Sequence, residues 1–482
     1  MTAYPKKPTK ENSAPVIRGL AGLAWRTCCA ALILSLSAVG VPSALAQEAG
    51  EGTTLGGYLK LHEDWRWAEW YPTGNPIAVT SKDRDLFTQM RLDALLGQEH
   101  AYEFHFHGAV RGDLDGVSSQ TGYAPLEDIG DSGQRDWRAS LYEAHLDLNH
   151  PAGMLSQLRV GRQALARENF VYFDGLGADL WLGSKLSASL YGGSPVRFYE
   201  LAPAGGQPPR DSMAGLAMDY TPAALSRLSL DYLRMRDQQD PFGAEQDSLV
   251  ALGWQQRISS TWKANIRARG INGEGRDVRL RALGAVFSDA LVMSLNYLRQ
   301  MRPQNELSTD LALCTTVIGQ SEPYHTLDLK LRASLGDNVS LDLGLLRREL
   351  LDPSQESPLN RSYARYFTVL DWNHLFFSGL SLSLTGERWS SKERSVEAGG
   401  LDLGYRQGTR REALRLNVGT YYSLYKYDYY ALLGERNRTR TYYAKAQVPV
   451  GAGFSLDAQY EYEYQRDVDA YRTARAGVRY DF

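Results

Sequence analysis

Apolar and polar residues alternate along most of the chain from Thr53 onward. In FSLDAQYEYEYQ, every second residue from Phe454 to Tyr464 is apolar or aromatic, and the residues between them are polar or acidic. The segments LRLNVGT, LSLSLTGE and TWKANIRARG repeat this pattern. A period of two places successive side chains on opposite faces of a β-strand. The sequence therefore predicts an all-β protein whose strands each have an apolar face and a polar face.

The predicted strands are long, and their connections alternate in length. The strands run about 9 to 13 residues, close to the roughly 9 to 11 that cross a bilayer when tilted. Soluble sandwiches alternate in the same way, but their strands usually have about 5 to 6 residues. Short turns such as TPAA, RISS and PVGA separate long polar connections at 68–83, 112–137, 163–176, 194–210, 301–322 and 425–437. This alternation predicts a single transmembrane antiparallel up-and-down β-barrel of about 22 strands, within a range of 18 to 24.

Composition narrows the class of protein. The 482 residues have a mean hydropathy of -0.39 and are 43% hydrophobic, which also suits a soluble protein. No segment after the leader has the roughly 18 consecutive apolar residues of a membrane helix. The mean hydropathy of a transmembrane barrel resembles that of a soluble protein, because polar residues alternate with the lipid-facing apolar ones. The 29 Tyr and 45 Gly suit interfacial girdles and tight turns. The formal net charge of -3 indicates no nucleic-acid partner.

The first 46 residues have the pattern of a secretory signal peptide. Basic residues precede the apolar stretch CCAALILSLSAVGV, and SALAQ offers a cleavage site after Ala46. An N-terminal anchor helix is the alternative, although the apolar run is short and ends at Pro42. We therefore expect a leader at 1–46 and one barrel at 47–482, with Cys314 as the remaining cysteine. One cysteine predicts neither a disulfide within the chain nor a metal cluster.

The final strand carries a resemblance to a known class. In RAGVRYDF, Val478, Tyr480 and Phe482 share the apolar face, and the sequence ends on an aromatic residue. This ending, with the leader and the alternating strands, resembles the outer-membrane β-barrel proteins of Gram-negative bacteria. The resemblance implies location in the outer-membrane lipid after signal-peptide removal. It also implies that Val478, Tyr480 and Phe482 form a signal read by the barrel-assembly machinery.

A narrower similarity lies in LRVGRQALARENF and ADLWLGSKLSASLYGG, residues 158–170 and 178–193. They look like the strand, Gly-Arg-Gln loop and hairpin of alginate-export and related porin-like barrels. That exporter family is usually described with about 18 strands, fewer than this chain predicts. Arginines line the lumen in those families, so the resemblance implies Arg159 and Arg162 as lining residues, with Arg167 as a weaker candidate. Arg162 has an alternative interpretation as a residue at the base of a loop that pairs with a carboxylate.

The inner face also has a cationic stretch. Five basic residues on two adjacent strands fall on the predicted inner face, namely Lys263, Arg267, Arg269, Arg279 and Arg281. Arg475 and Arg479 add to the same wall, whereas Asp457, Glu461 and Glu463 oppose the charge. Confined cations bias passage toward anions. Pairing of these cations with neighbouring acids is the alternative.

No catalytic motif appears in the sequence. The chain has no GxSxG, HExxH or phosphate-loop sequence. His105 and His107 share one strand face, but two histidines without a third ligand predict a polar lumen pair rather than a metal site. We therefore expect no enzyme, no cofactor and no bound metal.

These features predict an outer-membrane channel, porin-like or exporter-like, for hydrophilic and preferably anionic solutes or a polysaccharide. About six residues separate Ala46 from Thr53, so the sequence predicts no plug domain of the kind found in large energy-coupled barrels. The lumen is then closed either by its own loops or by a partner protein. The alternative function is a sheath barrel of a porin-cytochrome conduit, whose haem would belong to the partner because this chain has no CxxCH.

Overall fold

The structure is a computed structural model of the whole chain. It describes residues 53–70, 77, 79–97, 100–115, 137–167, 170–196, 211–236, 246–287, 290–303, 322–357, 360–392, 395–408, 413–425, 437–465 and 470–482. The predicted leader and Cys314 lie outside these residues. In the described part of the chain, no helix is long and apolar enough to cross a membrane.

The described residues form 22 β-strands. Their bounds are β1 Thr54–Trp70, β2 Val79–Leu96, β3 Tyr102–Asp113, β4 Trp137–Ala152, β5 Leu155–Ala166, β6 Phe170–Trp181, β7 Leu186–Pro195, β8 Ser212–Ala223, β9 Ser226–Arg236, β10 Gln246–Arg257, β11 Trp262–Ile271, β12 Glu274–Val286, β13 Leu291–Gln300, β14 Tyr324–Ser334, β15 Val339–Leu350, β16 Tyr363–Asn373, β17 Leu380–Ser390, β18 Ser395–Gln407, β19 Leu414–Tyr425, β20 Asn437–Gly451, β21 Phe454–Gln465 and β22 Ala470–Asp481. A short 3₁₀ turn, Pro353–Gln355, follows β15.

Each strand pairs antiparallel with the next one in the sequence, and β1 pairs with both β2 and β22. The sheet is therefore a closed up-and-down barrel, which confirms the predicted fold and strand count. With 22 strands about 4.8 Å apart and tilted by about 40°, a circular barrel has a backbone diameter of roughly 44 Å. Within the described ranges, no segment between strands builds a separate plug domain.

Most strands have one apolar and one mainly polar face, as β15 illustrates. Leu341, Leu343 and Leu345 share one face, and Ser340 and Asp342 share the other. Directly paired residues lie on the same face of the sheet. The registers of successive strands therefore show which residues belong to each face all around the barrel. Charged side chains on the polar face bond to one another across neighbouring strands. We therefore assign the polar face to the interior.

The apolar face is the exterior of the barrel. Leu176, Leu252 and Val418 are 56%, 57% and 58% exposed on this face. Large exposed apolar patches are rare on proteins surrounded by water and mark contact surfaces. A continuous band of such residues matches the lipid-facing band of a membrane barrel.

The exterior becomes charged near the strand ends that carry the long connections. Arg299, His325 and Glu349 are directly paired in one row across β13, β14 and β15, and His325 Nε2 lies 2.8 Å from Glu349 Oε2. We call this level the charged collar. Its members include Lys82, Arg84, Arg162, Asp174, Arg234, Arg299, His325, Arg347, Glu349, Arg388, Glu397, Arg440 and Arg472. The collar sets one limit of the apolar band.

Aromatic residues set the other limit of the band, at the end with the short turns. This aromatic girdle includes Tyr102, Tyr220, Trp254, Trp262, Trp372, Tyr405, Phe454 and Tyr480. Aromatic rings with a polar edge are suited to the boundary between lipid and water. The exterior therefore has three layers, from girdle through apolar band to collar, of which the apolar band and the aromatic girdle match a membrane-spanning barrel.

One predicted connection is wrong. Residues 163–176 were expected to form a long loop, but β5 continues to Ala166 and β6 begins at Phe170. The Gly-Arg-Gln segment at Gly161 therefore lies within a strand rather than in a loop. Arg162 and Asp174 sit opposite each other on β5 and β6 and bond at 2.7 and 2.6 Å. Because the two opposite charges pair with each other, both side chains are accommodated within continuous strands.

The seam between β1 and β22 closes the barrel. The Gly57 amide donates to the Phe482 carbonyl at 3.0 Å, and the Phe482 amide donates to the Gly57 carbonyl at 3.2 Å. The Tyr480 ring lies 4.4 Å from the Phe454 ring and 5.7 Å from the Phe482 ring. Val478 is buried on the same face. The three residues of the expected assembly signal thus lie together on the exterior of the seam.

The inner face near the long connections of β5 to β11 is apolar and buried. We call this group the inner apolar cluster. It comprises Val171, Phe173, Tyr191, Met213, Leu233, Met235, Leu249, Ala251 and Ile271, with Leu165 packed against them. Phe173 is completely buried. This part of the inner wall is therefore a packed surface rather than a water-exposed one.

Glycines make room beside this cluster. Gly161, Gly175 and Gly193 are directly opposite one another on β5, β6 and β7. A Cβ on Gly175 would lie 2.1 Å from the Gly192 carbonyl oxygen. The three backbones therefore approach too closely for any side chain at this position.

We expect Gly175→Ala to destabilise the barrel by about 1 to 3 kcal/mol, because the added methyl group overlaps backbone that cannot move independently. The control is Gly386→Ala, where a Cβ would contact only the Thr368 side chain at 3.5 Å. Urea titration of the refolded barrel in lipid vesicles measures both free energies of unfolding. Equal stability of the two variants would contradict the assigned backbone crowding.

We expect Phe482→Ala to lower the amount of barrel assembled in cells several-fold while changing its free energy of unfolding by at most about 3 kcal/mol. The reason is that the resemblance assigns Phe482 to a signal read before folding. Phe454→Ala removes an equal ring from the same girdle and serves as the control. Immunodetection at the cell surface compares the two. A similar loss of surface protein in both variants would reject an assembly role specific to Phe482.

Candidate functional site

Five basic residues form a ladder on the inner face of β11 and β12. Lys263, Arg267 and Arg269 alternate along β11, and Arg279 and Arg281 alternate along β12. The register places Arg267 opposite Arg279 and Arg281 opposite Asn265. We call these five residues the basic ladder. The structure thus brings together all five residues that the sequence grouped.

Only part of the basic ladder is neutralised by neighbouring acids. Arg269 bonds to Asp277, with Nη2 at 2.7 Å from Oδ2. Within the described part of the chain, no ion pair involves Lys263, Arg279 or Arg281. The alternative interpretation from sequence, full pairing with acids, therefore fails for these three cations. They give this part of the inner wall a local positive charge.

Two like charges face each other within the basic ladder. Arg267 and Arg279 are directly paired across β11 and β12, a position in which Cβ atoms lie about 4.5 to 5.5 Å apart. Like charges at this spacing destabilise a sheet. A passing anion would offset their repulsion, which is the chemical reason to regard the basic ladder as a site.

The two arginines suggested by family resemblance lie on opposite faces. Arg159 is on the inner face and forms two hydrogen bonds of 2.7 Å with Asp147. Arg162, three residues further along β5, lies on the exterior in the charged collar and bonds to Asp174. Its assignment as a lining residue is therefore wrong, because residues an odd number apart in a strand point to opposite sides. Its pairing with a carboxylate matches the alternative interpretation.

The remaining candidate cations on the inner wall have partners. Arg167, which follows β5, donates to Asp219 at 3.1 Å and to Ser189 at 2.6 Å. Arg475 bonds to Asp64 across the seam, at 2.5 and 2.7 Å. Arg479 bonds to Asp481 and lies over the Tyr58 ring at 4.3 Å. These neutralised cations contribute less field than the three unpaired ones.

An acidic arc on the inner face of β1 to β4 was missed from the sequence. It contains Asp64, Asp83, Asp85, Asp93, Asp113, Glu143 and Asp147. Arg66 pairs with both Asp83 and Asp85, and Arg111 lies 2.9 Å from Asp85. The alternation of Asp83 and Asp85 in TSKDRDL was the available signal. The inner wall is therefore electrostatically asymmetric, with the acidic arc and the basic ladder on different strands.

Comparisons with known proteins find similarity in fold only. No protein-family model matches the chain, and no curated protein sequence matches it significantly. The narrower resemblance to alginate-export barrels therefore stays a prediction. Among solved structures, the translocation pore of the P pilus usher PapC has a TM-score of 0.45 at 10% identity, covering 88% of this chain and 99% of its own.

Two further solved structures have similar scores. OccAB3 of Acinetobacter baumannii has a TM-score of 0.42 at 10% identity, covering 89% of this chain and 99% of its own. OpdK of Pseudomonas aeruginosa, solved with vanillate, has a TM-score of 0.42 at 10% identity, covering 89% and 98%. A functional assignment for this chain must therefore come from its own side chains.

We expect Arg279→Glu to raise the free energy of unfolding by about 0.2 to 1 kcal/mol, because an opposite charge then faces Arg267. Arg279→Gln removes the repulsion without adding attraction, so its stability should lie between the variant and the wild type. Urea titration in vesicles at low salt measures the three proteins. An Arg279→Glu barrel that is less stable than the Arg279→Gln barrel would contradict the repulsion.

Proposed function

We propose that this protein is a passive outer-membrane channel that admits hydrophilic solutes and prefers anions. The observation that carries the proposal is the basic ladder, in which Lys263, Arg279 and Arg281 face the interior without an ion-pair partner among the described residues. Unpaired cations in a confined wall attract anions and repel cations. The channel performs no catalytic step.

The exterior of the barrel supports the membrane part of the proposal. The apolar band lies between the aromatic girdle and the charged collar, and a lipid-facing apolar band bounded by aromatic residues is typical of outer-membrane barrels. The collar lies at the end with the long connections, and its arginines and lysines suit contact with anionic lipid headgroups. We therefore place the long connections outside the cell and the short turns in the periplasm.

The acidic arc limits how strong the preference is. Several of its carboxylates are paired with arginines, as in the Arg66 pairs with Asp83 and Asp85. A paired carboxylate exerts a weaker field on a passing ion than an unpaired cation does. The acidic arc therefore offsets only part of the field of the basic ladder, and the remaining preference for anions is expected to fall as salt is raised.

Single-channel recording in a salt gradient tests the proposal. We expect the wild-type barrel to conduct with an anion-preferring reversal potential. Replacing Lys263, Arg279 and Arg281 together with Gln should shift that potential toward the value of an unselective pore. Arg388→Gln is the matched control, because Arg388 lies exposed on the exterior and its loss removes a charge outside the lumen.

Three outcomes would contradict the proposal in different ways. If the triple variant kept the wild-type reversal potential, the basic ladder would not line the conduit. If the barrel carried no current and copurified with haem, it would be a sheath for a cytochrome partner instead. An equal shift in the Arg388→Gln control would show that net charge, rather than position, sets the potential.

A further inference from the structure

Two histidines from neighbouring strands stack on the inner wall within the acidic arc. His105 of β3 and His145 of β4 are directly paired, and their ring centroids lie 4.8 Å apart. Asp147 follows on β4, and the ligating atoms of the three residues lie within 4.8 Å of one another. The side chains of His145 and Asp147 are 8% and 2% exposed. A buried and a half-buried imidazole beside a buried carboxylate require a specific arrangement of protons or cations.

Hydrogen bonds fix which nitrogen of each ring carries the proton. His145 Nδ1 lies 3.2 Å from the Arg162 carbonyl oxygen, which can only accept. His105 Nδ1 lies 2.7 Å from Asp93 Oδ1, which is also an acceptor when ionised. Both neutral rings are therefore protonated at Nδ1 and present the lone pair of Nε2. This is the arrangement of metal-ligating histidines, whose other nitrogen donates to a carboxylate or carbonyl.

Each Nε2 faces a carboxylate oxygen. His145 Nε2 lies 3.8 Å from Asp147 Oδ1, and His105 Nε2 lies 3.5 Å from Glu103 Oε2. Two acceptors facing each other without a proton repel, unless a cation lies between them. Ligands about 2.0 to 2.1 Å from a tetrahedral ion lie roughly 3.3 Å apart. These two separations are close to that spacing, whereas the ligand atoms of His105, His145 and Asp147 together span up to 4.8 Å.

We propose that His105, His145 and Asp147, with Glu103 beside them, form a site for a divalent transition-metal ion of the Zn²⁺ class. Two imidazoles with one or two carboxylates are ligands typical of Zn²⁺. Closing ligand atoms that span up to 4.8 Å onto the ion requires relative side-chain movements of up to about 1.5 Å. The site is independent of the basic ladder, so it does not rest on the channel proposal.

The charges around the site favour a cation. Asp93, Glu103, Glu143 and Asp147 lie on the inner face of β2, β3 and β4. Arg91 bonds to Asp93 and Arg159 bonds to Asp147, so these two arginines offset two of the four acids. A net negative charge is left around two neutral imidazoles.

Asp147 retains an accepting position for the ion. Arg159 uses one position on each carboxylate oxygen, and Gln157 Nε2 donates to Oδ2 at 3.0 Å. An ionised carboxylate has about four accepting positions, so one on Oδ1 is left. Oδ1 is the oxygen that faces His145 Nε2.

Gly161 holds the second histidine in place. It lies directly opposite His145, with φ of +123°, and a Cβ there would lie 2.3 Å from the Ala144 carbonyl oxygen. A non-glycine residue is strained at such a φ. The strand thus passes close to His145 and presents the Arg162 carbonyl to its Nδ1.

Zinc titration of the refolded, chelator-treated barrel by calorimetry tests the site. We expect the wild type to bind one equivalent more than His105→Ala or His145→Ala. Asp93→Asn should keep this equivalent but weaken its affinity about 10- to 100-fold, because Asp93 only orients His105. Co²⁺ in place of Zn²⁺ should give the visible absorption of a tetrahedral site in the wild type and lose it in the two histidine variants.

His107→Ala and His325→Ala are the matched controls and should keep the equivalent. His107 is on the same face of β3 and bonds to Gln89, whereas His325 pairs with Glu349 in the charged collar. Heat-modifiable gel migration confirms that each variant is folded. The proposal would be overturned if His105→Ala and His145→Ala bound as many equivalents of zinc as the wild type. That result would mean that a proton, rather than a metal ion, occupies the cluster.

Discussion

The rest of the structure depends on closure of the sheet by hydrogen bonds between β1 and β22. In hydrocarbon, an unbonded backbone N–H or C=O costs several kcal/mol, so a sheet with two open edges is not viable. The paired amides and carbonyls of Gly57 and Phe482 complete this closure at the turn end of the seam. Once the ring of 22 strands is closed, each residue has a fixed side, and the environment of its side chain follows from that side.

The two sides are under different constraints, and the position of charge reflects this. On the exterior, charges occur mainly in the charged collar, where Arg347 and His325 both reach Glu349. Within the apolar band such groups would lack both water and partners. On the interior, water is a partner, so Lys263, Arg279 and Arg281 are tolerated without an ion pair among the described residues. Arg267 and Arg279 are directly paired like charges, an arrangement that by itself disfavours a sheet and therefore points to function rather than to folding.

The interior is divided by strand into parts with different chemistry. The acidic arc occupies β1 to β4, the inner apolar cluster covers the ends of β6 to β11, and the basic ladder lies on β11 and β12. The cluster of His105, His145 and Asp147 lies at one side of the acidic arc, away from the basic ladder. A solute that enters this barrel thus meets walls of opposite charge, and an ion held in the acidic arc would reduce that contrast.

The sequence by itself predicted the all-β class, a strand count near 22 and most of the long and short connections, because a period of two is a local property of the chain. It also placed the five ladder residues on one face, since each lies an even number of positions from the next on its own strand. Tertiary structure alone decided the partners. Arg162 lies on the exterior because β5 continues through the segment that was expected to be a loop, and Arg162 is three residues from Arg159 on that strand. His145 and Asp147 lie beside His105 only because of the register of β3 and β4. They are 40 or more positions from His105 in the sequence, and a one-dimensional pattern does not specify which distant residues strand pairing makes neighbours.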